Sequence, residues 1–168
     1  GGRGLGAGVP GTADIVLGTF GKSLGLFGSF LLLPKGFAAF FESLSSAVMH
    51  STAMPPAHAA AVLKLLERLP LLEAERARLR DNAVFFRARL SELGIPTRVT
   101  APIVAVPTGR EARTIHLGEQ LAERGVLALA ARYPTVPHGD GLLRFGLTAL
   151  HTQGMLERTA RILADLWE

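Results

Sequence analysis

The sequence predicts an α/β chain in two parts, and three observations predict it. Short apolar runs of strand length, bounded by glycine, occur near the start at 14–19 and 27–33. Leu79, Ala83, Phe86, Leu90 and Leu93 then recur at spacings of four and three, which places an amphipathic helix over about 71–93. Beyond Gly94 and Pro96, strand-like and helix-like runs alternate closely enough to form an α+β module of their own.

Taken in order, GGRGLGAGVP is too rich in glycine to start a packed element, so the chain is expected to begin inside a loop. Asp14 to Thr19 reads as a short buried strand and Phe27 to Leu33 as a second, with Lys22 in the turn between them. Pro34 opens a helix to about Ser45, since a proline in the first turn loses no hydrogen bond. After HSTAMPP, a helix starts at Pro55 or Pro56 and runs to about Arg68. The long helix follows, then strands at 103–106, 126–130 and 142–147 and helices at 111–124 and 152–166. The expected division is 1–68, a linking helix within 69–96, and 97–168. No internal repeat or low-complexity tract is present.

Composition narrows the function. The chain has 168 residues, 48% of them hydrophobic, enough for a substantial core. No apolar run reaches the ~18–20 residues of a membrane span. The start lacks the pattern of a secretory leader and cysteine is absent, so a cytoplasmic protein is expected. The excess of 18 Lys and Arg over 14 Asp and Glu raises nucleic acid as a partner. The distribution argues against it, because Arg76, Arg78, Arg80, Arg87 and Arg89 interleave with Glu73, Glu75, Asp81 and Glu92 as on a solvated helix face.

Several motifs fail on inspection. Gly21-Lys22-Ser23 suggests a phosphate loop, but that loop needs a glycine six positions before the lysine, where Val16 stands. Gly6, Gly8 and Gly11 match GxGxxG but precede a strand instead of following one. The five histidines form no HExxH pair and have no cysteine beside them, so no metal site is expected. What survives is a strand ending in Thr19, then Phe20, Gly21 and Lys22, then Gly25 and Gly28. A lysine at the end of a buried strand can be desolvated and made nucleophilic. By itself, however, the pattern favours an exposed turn lysine.

DIVLGTFGKSLGLFG, HSTAMPPA and PTVPHGDGLLRFGLTALH occur together and in this order. With them, essentially the whole chain resembles the C-terminal part of the α-oxoamine synthases, fold-type I pyridoxal-phosphate (PLP) enzymes. GGRGLGAG is similar to the family's GxxGRGxG segment, and HSTAMPP and PTVPxG look closest to the 8-amino-7-oxononanoate synthase branch. The resemblance implies the end of a large, mainly parallel-sheet domain plus a small α+β C-terminal domain. It implies a decarboxylating condensation of an amino acid with an acyl thioester, in a homodimer whose active site is shared across subunits, with no nucleic acid or membrane partner. Other branches such as 2-amino-3-ketobutyrate ligase or serine palmitoyltransferase, and a non-catalytic partner of such an enzyme, are the alternatives.

Residue by residue, the resemblance makes Lys22 the catalytic lysine that carries PLP covalently and moves a proton at the substrate α-carbon. It makes Thr19 a donor to the cofactor phosphate, and it brings Ser51 and Thr52 to the phosphate of the neighbouring subunit's cofactor. Without it, Ser51 and Thr52 read as helix caps before Pro55. Arg144 becomes the grip on the amino-acid carboxylate, a role suited to a partly buried guanidinium. Thr148 and His151 match the motif as structural residues. Ser29 and Ala53 depart from it, standing where many relatives carry glycine and serine. The aspartate and histidines that the family places around the cofactor ring lie upstream of its GRGxG segment and have no counterpart here.

Overall fold

The computed structural model describes residues 13–100 and 102–167. The glycine-rich start, with Gly6, Gly8 and Gly11, lies outside the described residues. The chain divides into two compact units, one closing at Leu72 and the other beginning at Glu73.

In the first unit, β1 (Val16–Thr19) and β2 (Ser29–Leu32) form an antiparallel ribbon in which Gly18 pairs with Phe30 and Thr19 with Ser29. The Phe30 ring lies over Gly18, where an added Cβ would stand 2.1 Å from it. Both strands are shorter than their apolar runs, and the burial expected of the first is absent: Ile15, Val16 and Leu17 are exposed, Leu17 at 72%. The physical reason is that a two-stranded ribbon covers neither of its own faces. Among the described residues of this unit, only Phe20 and Val62 are buried hydrophobics.

Three helices follow the ribbon. The first, α1 (Phe37–Leu44), starts three residues after Pro34, because Gly36 takes a left-handed φ of 95° at the cap. The amide of Phe37 instead bonds to the Pro34 carbonyl at 3.1 Å. The chain straightens at Ser45, makes the unanticipated single turn α2 (Ser46–Met49), and resumes as α3 (Pro56–Arg68), close to where its prolines predict it. A further turn at Leu69–Leu71 leads to the unit's end.

The second unit opens with α4 (Glu73–Glu92), whose stripe of Ala83, Phe86 and Leu90 is buried as its periodicity requires. The remaining elements are β3 (Arg98–Thr100), β4 (Ile103–Gly109), α5 (Glu111–Glu123), β5 (Leu129–Ala131), β6 (Gly141–Gly146) and α6 (Gln153–Asp165). The strands form an antiparallel sheet in the order β3-β4-β6-β5. The alternation along β4 and β6 turns Val104, Val106, Leu143 and Phe145 into the core with α4, α5 and α6. Phe86 and Phe145 meet edge to face at 5.3 Å between ring centroids.

Two differences from the sequence expectation have local causes. The strand expected from Val126 starts only at Leu129, because the Val126 amide bonds back to Leu121 O at 2.8 Å around Gly125, closing α5. The edge strand β3 is too short to declare itself by alternation. Among the described residues, no helix is long and apolar enough to cross a membrane.

Candidate active site

Lys22 lies in the turn joining β1 to β2, as its sequence setting predicts. Three backbone bonds close that turn: Phe20 N to Gly28 O at 2.9 Å, Leu26 N to Phe20 O at 2.9 Å, and Gly25 N to Lys22 O at 3.0 Å. Gly25 and Gly28 take left-handed φ values of 66° and 98°, which other L-residues rarely adopt. Lys22 is exposed, so the desolvation expected from a buried strand does not come from the described residues. Its amine is in no hydrogen bond or ion pair among them. Space around it is open: a Cβ at Gly25 would meet nothing within 4 Å, and at Gly21 the nearest atoms stand 3.5 Å away.

Thr19, at the strand end, serves the turn. Its Oγ1 accepts from Gly21 N at 3.1 Å and donates to Gly28 O at 3.3 Å. The second bond is long, and Thr19 is exposed, so an incoming oxyanion could compete for that hydrogen.

Ser51 and Thr52 stand exposed between α2 and α3. Ser51 Oγ donates to Val48 O at 3.3 Å. Neither residue caps α3: Pro55 occupies the cap position without a side-chain bond, and its carbonyl takes the amides of His58 and Ala59. The capping reading is thereby corrected, because the proline pair already fixes the helix start.

Two residues not singled out in the sequence fasten α3 and the preceding loop to the lysine turn. His58 Nε2 lies 2.6 Å from Phe27 O, and its ring meets Phe27 edge to face at 6.0 Å. The Met54 methyl fills the space over Gly28, where an added Cβ would be 2.7 Å away. The loop carrying Ser51 and Thr52 is thus held near the turn carrying Lys22 by its own neighbours. No periodicity marks such contacts.

Arg144 belongs to the second unit. It lies on β6 as predicted but is exposed, not partly buried. Its neighbours Leu143 and Phe145 turn inward, at 0% and 4% exposure, which obliges Arg144 to point to the open face. The strand end is tied to α4 through Asn82, whose Nδ2 donates to Thr148 O at 3.0 Å and His151 O at 2.8 Å. Thr148 N in turn donates to His151 Nδ1 at 3.3 Å, and Leu150 N to Thr148 Oγ1 at 3.2 Å. Asn82 was hidden in a charged helix and is revealed only by these long-range bonds.

Comparison with known proteins adds the family. Residues 5–163 match the model of the aminotransferase class I and II family. The chain is 37% identical over 165 residues to an 8-amino-7-oxononanoate synthase of Gluconacetobacter diazotrophicus, covering 98% of this chain and 41% of that protein. It superposes on a serine palmitoyltransferase of Sphingomonas wittichii with a TM-score of 0.88 at 28% identity, covering 98% of this chain and 43% of the other. A solved structure of SPT with PLP gives a TM-score of 0.89 at 25% identity, over 98% of this chain and 42% of the other. The chain therefore spans about two fifths of the length of the relatives it matches.

Proposed function

Because the chain belongs to the aminotransferase class I and II family and is related within it to the α-oxoamine synthases, we propose that it carries the C-terminal share of a PLP-dependent acyltransferase. The reaction is a decarboxylating condensation of an amino acid with an acyl thioester. The 8-amino-7-oxononanoate synthase reaction is the reading favoured within that class. The observation that carries it is the exposed, unbonded amine of Lys22 in a glycine-rich turn, three residues after the hydroxyl of Thr19.

The residues present fit the cofactor. Lys22 Nζ is the atom that would hold it, with room on the glycine side of the turn. Thr19 Oγ1 would exchange its long bond to Gly28 O for a phosphate oxygen. When bound, PLP supplies an electron sink for negative charge at the amino-acid α-carbon. Lys22 takes and returns the proton at that carbon. Arg144 orients the amino acid by its carboxylate through two parallel N–H donors. Ser51 and Thr52 serve the phosphate of a neighbouring subunit's cofactor in a homodimer, a reading supported by their exposure. The setting proposed is the cytoplasm.

Reduction of the PLP-loaded protein with borohydride, followed by peptide mass spectrometry, tests the lysine. Lys35 and Lys64 are internal controls. Selective labelling of Lys22, lost in Lys22→Ala, is expected; equal labelling of all three would overturn the assignment. Free-thiol release from acyl thioesters with alanine, glycine or serine tests the reaction class, since transamination releases none.

A further inference from the structure

The register of the second unit's sheet sets four residues in one row across all four strands. Arg98 pairs with Ala105, Ala105 with Arg144, and Arg144 with Leu129. Directly opposed residues project to the same face. This face is the one turned away from the core, since Val104, Leu143 and Phe145 occupy the other. Arg98 and Arg144 are both exposed and are two strand spacings apart, about 10 Å between Cα atoms.

The floor between and beside them is low. Ala105 separates the two arginines, and Gly146, on the same face as Arg144, leaves room where an added Cβ would meet nothing within 4 Å. Neither guanidinium is in a hydrogen bond or ion pair among the described residues. Four of the five arginines of α4 behave otherwise: Arg76, Arg78, Arg80 and Arg89 each reach a glutamate, while Arg87 forms no ion pair among the described residues. Two unpaired like charges in one row repel each other, and anionic ligands relieve that repulsion.

We propose that Arg98 is a second anion anchor on this face. With Arg144 on the amino-acid carboxylate, Arg98 takes an oxyanion of the acyl donor. That oxyanion is either a carboxylate at the far end of the acyl chain or a phosphate of the thiol carrier. The inference rests on the function proposed above for the identity of the ligands. The row of two guanidiniums stands without it.

The test uses the full chain labelled with nitrogen-15, following the arginine side-chain N–H signals by NMR without cofactor. Heptanedioate is compared with hexanoate, and 4′-phosphopantetheine with pantetheine. The expected result is a saturable shift of the Arg98 signal with heptanedioate, with phosphopantetheine, or with both. The responding arm identifies the oxyanion. Arg98→Gln should weaken that binding about threefold, the scale of an exposed ion pair, while Arg98→Lys retains part of it. Circular dichroism checks that both variants are folded. An Arg98 signal that moves no more with either anion than with its control overturns the anchor. If Arg144 alone responds, the anchor fails while the carboxylate role of Arg144 stands. Labelling of Lys22 by PLP is a separate outcome on which this titration does not depend.

Discussion

Both donors of the Asn82 amide go to the carbonyls of one turn, which ends the strand that carries Arg144. Asn82 is 8% exposed, and removing its side chain takes the donor from two part-buried hydrogen bonds at once. Asn82→Ala is expected to cost about 1–3 kcal/mol in urea unfolding. Phe86, fully buried against Phe145, should cost more when truncated: Phe86→Ala is expected to lower stability by about 3–5 kcal/mol, read from the same transition. At this scale the sequence revealed residues whose surroundings are local or periodic. The strand position of Arg144 and the turn position of Lys22 follow from alternation and glycine. Asn82 and His58 escaped because their partners lie 66 to 69 and 31 residues away, a distance over which spacing carries no signal.

Between elements, α4 and α6 are clamped by Arg89. Its Nε and Nη2 donate to the two carboxylate oxygens of Glu157 at 2.6 and 3.0 Å, and Nη1 reaches Glu92. Hydrogen bonds from Arg89, then from Arg161, hold the Glu157 carboxyl below its ordinary pKa. Glu111 is likewise lowered, first by the backbone amide of Gly139. A carboxyl whose folded value is depressed contributes its full stability above the unfolded value, about 4.3, and loses it as pH falls through the folded one. Thermal unfolding midpoints should therefore be level from pH 7 to about 5 and fall below about 4. Glu157→Gln should lower the neutral-pH midpoint and shrink that fall; an unchanged pH profile would discount the clamp. In the first unit, Gly28→Ala meets both a left-handed φ and the Met54 methyl. It is expected to loosen the lysine turn by about 1–3 kcal/mol, detected as faster proteolysis within 20–30. The apolar run of β1 announced a strand but not its exposure, because composition reveals what a strand prefers to bury and not whether a covering layer is present.

Across the molecule, buried apolar surface is distributed unequally. The second unit holds a contiguous core from Ala83 to Leu163, whereas in the first Phe27, Phe40, Leu44 and Leu17 are each more than half exposed. Amide hydrogen exchange should accordingly be slowest in α4, β4 and α6 and fast in β1 and β2. Uniform protection through residue 72 would contradict this picture. The α+β character of the second unit was legible in its three helices and in β4 and β6, which carry their own period, but not in the three-residue edge strand β3 or in the start of β5. The one-sidedness of the sheet has an adaptive corollary. Along β6, every other position answers to folding and the positions between answer to whatever lies on the open face. Libraries randomised at 98, 129 and 144 should therefore yield mostly folded proteins, while libraries at 104, 143 and 145 should yield few. Changes of ligand preference could accumulate on that face by small steps, each taken without renegotiating the core beneath it.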